Sequence, residues 1–339
     1  MFISNYIDRA IGCLVGAAYG DSLGAAVEFM ALDRIRQQYG ERGITRLGPA
    51  FGHPAGVITD DTQMAIATAL GIINTPREVL SDDGVVLENI WREYQAWYSS
   101  QSKPGEARGP GSTCMSALRS GKMGTIGAPL NLSAGCGAIM RAHPIGIAFM
   151  NNPDRAFKLG EESGAITHGH PNAYVPSGAL AMLIAHLLSG VSFERALSFV
   201  LTKINQLPAE DQFGTNRALN SALETPILGD TGAIIDAQVG QIAPHGGGWH
   251  GHDALAIAIY AVRCALNDPL KAVEIAVNHS GDSDSTGSIA GAITGAMHGP
   301  EFFERALRDQ DVTLEHHESL VELGQELVEI GGGGSAQTS

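Results

Sequence analysis

Two short segments concentrate the oxygen chemistry of this chain. One reads Thr59-Asp60-Asp61-Thr62-Gln63-Met64, the other Gly281-Asp282-Ser283-Asp284-Ser285-Thr286-Gly287. Each sets carboxylates and a hydroxyl where a loop gives way to a helix-forming run. A single Asp, Ser or Thr at such a junction caps free N–H groups. Adjacent carboxylates go beyond that need, and they repel unless a cation or a proton offsets them. Donors that are all oxygen suit magnesium, manganese or calcium better than zinc. The two segments together predict a divalent-metal site.

Three other chemistries fit less well. Asp282 could open an EF-hand loop, but its twelfth position would be Ile293 instead of an acid. The D-x-D-x-T pattern also occurs in aspartyl-phosphate phosphatases of the haloacid-dehalogenase kind. There it follows the first strand of a parallel sheet and needs a lysine downstream; here it lies late, and residues 288–339 hold no lysine. His245, His250 and His252 could ligate a transition metal. They lie in a glycine-rich loop without helical spacing, which argues against zinc.

The elements that must position these groups read as helices. Alanine-rich runs with apolar spacing near three and four cover 6–19, 62–73, 85–98, 177–189, 193–204, 253–267, 269–277 and 287–298. Pro269 suits a first helical turn, with Asp268 as its cap. Alternating strand patterns are absent. Glycines collect at 105–111, 133–137 and 246–251, where loops can let backbone approach a ligand. No linker or fixed-period repeat divides the chain. The expectation is one compact, mostly helical domain over 1–330, with a flexible Gly/Ser-rich tail at 331–339.

Composition narrows the function. In 339 residues, 44% are hydrophobic and 17% charged, which excludes disorder for most of the chain. The net charge of -15 offers no basic stripe for nucleic acid. Cys13, Cys114, Cys136 and Cys264 are scattered without a C-x-x-C pair, so reduced thiols are expected. Asp8 and Arg9 fall where a signal peptide would be apolar, and the apolar runs are too short for a membrane span. A soluble, cytoplasmic, monomeric protein is expected.

Six motifs in order resemble the ADP-ribosylglycohydrolase family, which includes the dinitrogenase reductase-activating type and the ADP-ribosyl-acceptor hydrolases. They are the stretch Gly16 to Gly24 containing Asp21, with Glu28 after it; Thr59 to Thr62; Gly135 to Arg141; Thr167-His168; Gly248-Trp249 with Asp253 onward; and Gly281 to Gly287. Together they span about residues 10 to 300.

The resemblance implies an all-α orthogonal bundle around a dinuclear centre of magnesium or manganese. Thr59, Asp60 and Asp61 would be ligands from one loop, and Asp282, Asp284 and Ser285 from the other. Catalysis would rest on Glu28, Asp60, Asp61 and Asp284, with Glu28 as general base. Gly109, Gly111, Ser133, Gly135, Cys136, Gly137 and His168 would bind the substrate. Trp249 would line the cleft or anchor its loop, Met140 would be core, and Arg141 would pair with an internal carboxylate. The nitrogenase-regulating type uses an aspartate before the ribose loop, whereas Arg108-Gly109-Pro110-Gly111 has no carboxylate. The implied activity is hydrolysis of the bond between ADP-ribose and an acceptor: arginine, serine or a small-molecule conjugate. The alternative is a non-catalytic relative that binds ADP-ribose or serves a structural, crystallin-like role.

Overall fold

The computed structural model describes residues 2–227, 236–243 and 246–332. Most of the 331–339 tail and His245 therefore lie outside the described residues. The regular secondary structure of the described chain is helical. Its β-pairing is confined to isolated bridges at Ala50–His53, Thr125–Ala128 and Gly135–His250.

In chain order the helices are α1 (Phe2–Ala25), α2 (Leu32–Tyr39), α3 (Asp60–Ile73), α4 (Asp83–Ser100), α5 (Ser112–Arg119) and α6 (His143–Ala148). There follow α7 (Pro153–Ala165), α8 (Pro171–Leu188), α9 (Phe193–Ile204), α10 (Ala209–Glu224) and α11 (Asp236–Ile242). The chain then forms α12 (Gly251–Cys264), α13 (Pro269–Val277), α14 (Ser283–His298), α15 (Glu301–Gln310) and α16 (His317–Ile330).

All eight expected helices are present. The α13 start is as the residues require: Pro269 opens the first turn, and Asp268 Oδ1 accepts from the Lys271 N–H at 3.1 Å. α8 begins six residues before the expected 177, because Pro176 lies inside it. Burial along nearly its whole length holds that helix across the missing N–H. The other eight helices escaped an alanine-rich reading. α2 is short and highly charged, and α16 takes its apolar face from Leu320, Leu323, Leu327 and Val328 instead of alanine.

The centre of the molecule is set by α1 against α14. Gly12, Gly16, Gly20 and Gly24 recur every fourth residue and so share one face of α1. They meet Gly295, Gly291, Gly287 and Ser283 of α14, which share the same spacing. A Cβ on any of the four α1 glycines would fall within 3 Å of a facing carbonyl oxygen. Only bare backbone allows this approach. Every residue of α14 from Ser283 to Ala296 is buried, as is α12 from Gly251 to Val262. The small-residue pattern thus marks a helix enclosed on all sides. No described helix is long and apolar enough to cross a membrane.

Candidate active site

The glycine contact brings the end of α1 to the start of α14, with α3 beginning beside both. Asp21, fully buried on α1, accepts hydrogen bonds from the backbone N–H groups of Thr59 and Thr62 at 3.1 Å each. It also accepts the Thr62 hydroxyl. Thr59 Oγ1 accepts from the Asp61 N–H at 3.2 Å. Asp21 and Thr59 therefore cap α3, and Asp60 and Asp61 are left to face a cavity. At α14 the Asp282 side chain likewise makes no capping bond.

Glu28, in the turn after α1, completes the acidic group. Glu28, Asp282 and Asp284 each place a carboxylate oxygen within 4.8 Å of the others. Asp60 and Asp61 line the same cavity. Asp61 is buried, and its Oδ1 has no hydrogen-bond partner. Burial, then the neighbouring acids, raise the pKa of Glu28 to about 7. Burial also lifts Asp21 to about 6, although four hydrogen bonds oppose the shift. Asp60, Asp61 and Asp284 are pushed well above the usual carboxylate range, chiefly by burial and then by the charge of neighbouring acids, Asp282 among them in each case. Such a group needs protons or cations to persist. Its donors are oxygens, and they converge, so the residues fit a hard divalent cation.

The cavity measures about 150 Å³. A larger concavity of about 610 Å³ beside α15 and α16 lacks this convergence of carboxylates. Phe29 and Trp249 stand at the mouth, with ring centroids 5.1 Å apart and roughly half of each side chain exposed. Gly109 and Gly111 form one wall, and the Gly111 N–H donates to Asp60 Oδ2 at 3.3 Å. Gly109 has φ +78°, and a Cβ there would lie 3.4 Å from the Phe51 ring. Arg108 ties this loop to the α15–α16 turn through Glu315.

Ser133, Gly135, Cys136, Gly137 and His168 form the facing wall. The Cys136 N–H is committed to Trp249 O at 3.0 Å, and the Gly135 N–H to Ser133 Oγ at 3.3 Å. What Cys136 presents is its thiol, which donates to Asp282 Oδ2 at 2.9 Å. Arg141 donates to Thr167 Oγ1 at 2.6 Å, and that hydroxyl lies 2.8 Å from His168 Nδ1. With Arg141 donating to it, the Thr167 hydroxyl donates to Nδ1, which leaves Nε2–H toward Gly135 and Gly137. Burial, then Arg141, lower the His168 pKa to about 3, so the ring is neutral.

The ADP-ribosylglycohydrolase family profile matches residues 3–335. The chain belongs to that family. This glycohydrolase is 30% identical over 295 residues to ADP-ribosyl-[dinitrogen reductase] glycohydrolase of Rhodospirillum rubrum, covering 86% of each chain. It is 27% identical over 322 residues to ADP-ribosylarginine hydrolase Tri1 of Serratia proteamaculans, covering 94% of this chain and 79% of the relative. A solved ADP-ribosylglycohydrolase-related protein complex superposes with a TM-score of 0.73 at 24% identity, over 97% of this chain and 99% of that one, and shares the fold. The protein is a hydrolase of glycosidic bonds.

Within the glycohydrolase, Asp60, Asp61, Asp282, Asp284, Ser285, Glu28, both glycine walls and His168 come together at one cavity, whereas Thr59 is buried as the cap of α3 and is not part of its lining. Arg141 needs correcting. It is fully buried, yet its partners are Thr167, the sulfurs of Met64 and Cys114, and the Tyr94 ring at 4.2 Å, with no carboxylate among the described residues. Delocalised charge lets a guanidinium accept an aromatic face and soft sulfur in place of an anion. Among the described histidines of the glycine loop, His250 and His252 lie 3.7 and 3.4 Å from Asp253, and neither lines the cavity. Sequence reasoning gave no role to Asp21, Phe29 or the Cys136 side chain. Phe29 had a signal, since it follows Glu28 directly in the turn after α1; Asp21 stood inside a motif with nothing local to tell what it would meet.

Proposed function

We propose that the protein releases ADP-ribose from an acceptor side chain, arginine foremost, using divalent cations. The convergence of Glu28, Asp282 and Asp284 within 4.8 Å, beside the unpartnered Oδ1 of Asp61, carries this reading. Asp60, Asp61, Asp282 and Asp284, with the hydroxyls of Thr59 and Ser285, would hold two magnesium or manganese ions. Such ions supply a positive field for ribose oxygens and a lowered pKa for water. The names of the Rhodospirillum and Serratia relatives support an ADP-ribosyl substrate, and the latter supports arginine.

Glu28 takes the proton of the water that attacks the anomeric carbon of the ribose; the bond to the acceptor breaks with its electron pair on the acceptor atom, and the proton returns from Glu28 to that leaving group. Neutral His168 offers Nε2–H to a ribose or phosphate oxygen. The bare walls at Gly109, Gly111, Gly135 and Gly137 let the sugar and diphosphate approach backbone, and Phe29 and Trp249 shield the mouth from water. The protein acts as a monomer.

The test uses peptides mono-ADP-ribosylated at arginine or at serine, with released ADP-ribose followed by mass spectrometry. Release from the arginine peptide with magnesium or manganese, and its loss after exhaustive chelation, is expected. Full activity in chelator would overturn the metal centre. Release from the serine peptide alone would overturn the acceptor.

A further inference from the structure

The rings at the cavity mouth stand in solvent, and the backbone is bent to keep one of them there. Phe29 is 50% exposed at φ +54°, a left-handed conformation in which a bulky residue is rarely found. Its N–H donates to Gly281 O at 2.8 Å, which fixes it beside the turn that carries Asp282. Trp249 is 54% exposed and is held through its own backbone: its N–H donates to Gly246 O at 3.4 Å, and its carbonyl accepts the Cys136 N–H at 3.0 Å. The two ring planes are inclined by 50°, so neither lies flat on the other and each keeps surface free. Phe51 repeats the pattern against the Gly109 wall, at φ +52° and 43% exposed. Among the described residues four that are not glycine have positive φ, and two of them are these phenylalanines. Strain of this kind gathers where a ligand is gripped.

Charge decides what the rings would grip. The cavity lining holds five carboxylates, Glu28, Asp60, Asp61, Asp282 and Asp284, and no lysine or arginine. The faces of aromatic rings are negative as well. A group lying between that floor and those rings is favoured when it is planar and cationic. A guanidinium is both, and a serine oxygen is neither. The cavity of about 150 Å³ has room for little beyond a ribose, so an acceptor joined to that ribose emerges at the mouth.

We propose that Phe29 and Trp249 form an aromatic clamp that selects the acceptor, holding the guanidinium of an ADP-ribosylated arginine by cation–π contact. The inference rests on the hydrolase reading above and names the feature of its substrate that the mouth recognises. The two rings touch the acceptor and move no proton.

The test has a binding arm and a kinetic arm. Ethylguanidine, or neutral and planar ethylurea, is titrated into the full chain with manganese and ADP-ribose present, and tryptophan emission is recorded. Trp249 is the exposed one of the three tryptophans. Phe29→Leu and Trp249→Leu keep apolar bulk and remove a ring face, whereas Phe29→Tyr keeps the face. A saturable response to ethylguanidine alone is expected, weakened by about 2–30-fold in Phe29→Leu and retained in Phe29→Tyr. KM for a peptide ADP-ribosylated at arginine should rise by about the same factor in both leucine variants, with ADP-ribose affinity by calorimetry unchanged. An equal response to ethylurea, or an ethylguanidine response undiminished in Phe29→Leu, overturns the clamp. Release from the arginine peptide with no ethylguanidine response, or with KM unmoved in both leucine variants, overturns the clamp and leaves the hydrolase reading standing. A selective, Phe29-dependent response without release from the arginine peptide upholds the clamp and overturns the proposed reaction. Neither response nor release overturns both.

Discussion

Asp21 releases Asp60 and Asp61 for chemistry by taking over the capping of α3. Asp21→Asn keeps one acceptor but turns an amide N–H₂ against backbone donors. A loss of about 1–3 kcal/mol in unfolding free energy is expected. Denaturant titration checks it, and an unchanged midpoint would count against the capping role. Glu28→Gln tests the base: single-turnover hydrolysis should fall by about 10²–10⁴-fold, while ADP-ribose affinity by calorimetry holds. A near wild-type rate would remove Glu28 from the chemistry. At this scale the paired acids were legible because adjacency itself is costly. Asp21 was not, because an isolated aspartate in a helix shows no sign of the loop it will meet. Arg141 misled for a related reason, since a sequence shows a charge without showing the ring and sulfurs that accept it.

The α1–α14 pair is held by absence of side chains. Adding one methyl at Gly20 forces it against the Gly287 carbonyl, and neither backbone can retreat from a buried helix. Gly20→Ala should cost about 1–3 kcal/mol or more by overpacking. It should also weaken metal binding, because the two acidic helix ends separate. Gly240→Ala on α11 meets nothing within 4 Å, so it should be neutral or stabilise by up to about 1 kcal/mol. Melting temperatures of the two variants decide this; equal shifts would refute the close-contact account. Both glycine rows stand in the sequence at every fourth position. Their partnership does not, because nothing local says which two helices meet. Local periodicity did disclose eight helices, and it failed where short or leucine-based faces replaced alanine.

Across the whole molecule, proton binding couples the cavity to stability. Glu28 and Glu161 have folded pKa values of about 7 and about 8, above the unfolded 4.5, with burial as the main cause. Their contribution is fully present below 4.5 and is lost as pH rises through those values. His143 and His168 run the other way, since burial holds both near 3, below the unfolded 6.5. Their contribution is complete above 6.5. Between pH 6.5 and 8 the carboxylates therefore govern, and stability without divalent cations should fall as pH rises. Magnesium should flatten the part due to Glu28, and Glu161→Gln the remainder. Denaturation curves across that window measure this; stability that rises there would contradict it.

The central helix pair also sets a timetable. Gly24 and Ser283 touch across 259 positions of chain (283 − 24). At roughly 5–20 residues per second, a ribosome needs on the order of 10–50 s to travel between them. Throughout that interval α1 has its acids and its bare face but no mate. Catalytic competence is therefore expected to arrive all at once, late in synthesis, when α14 emerges. Hydrogen exchange on stalled nascent chains reads this directly. The amides of α1 should exchange freely in chains halted before residue 283 and become protected in chains that extend past 298. Early protection would mean that some other segment shelters α1 first.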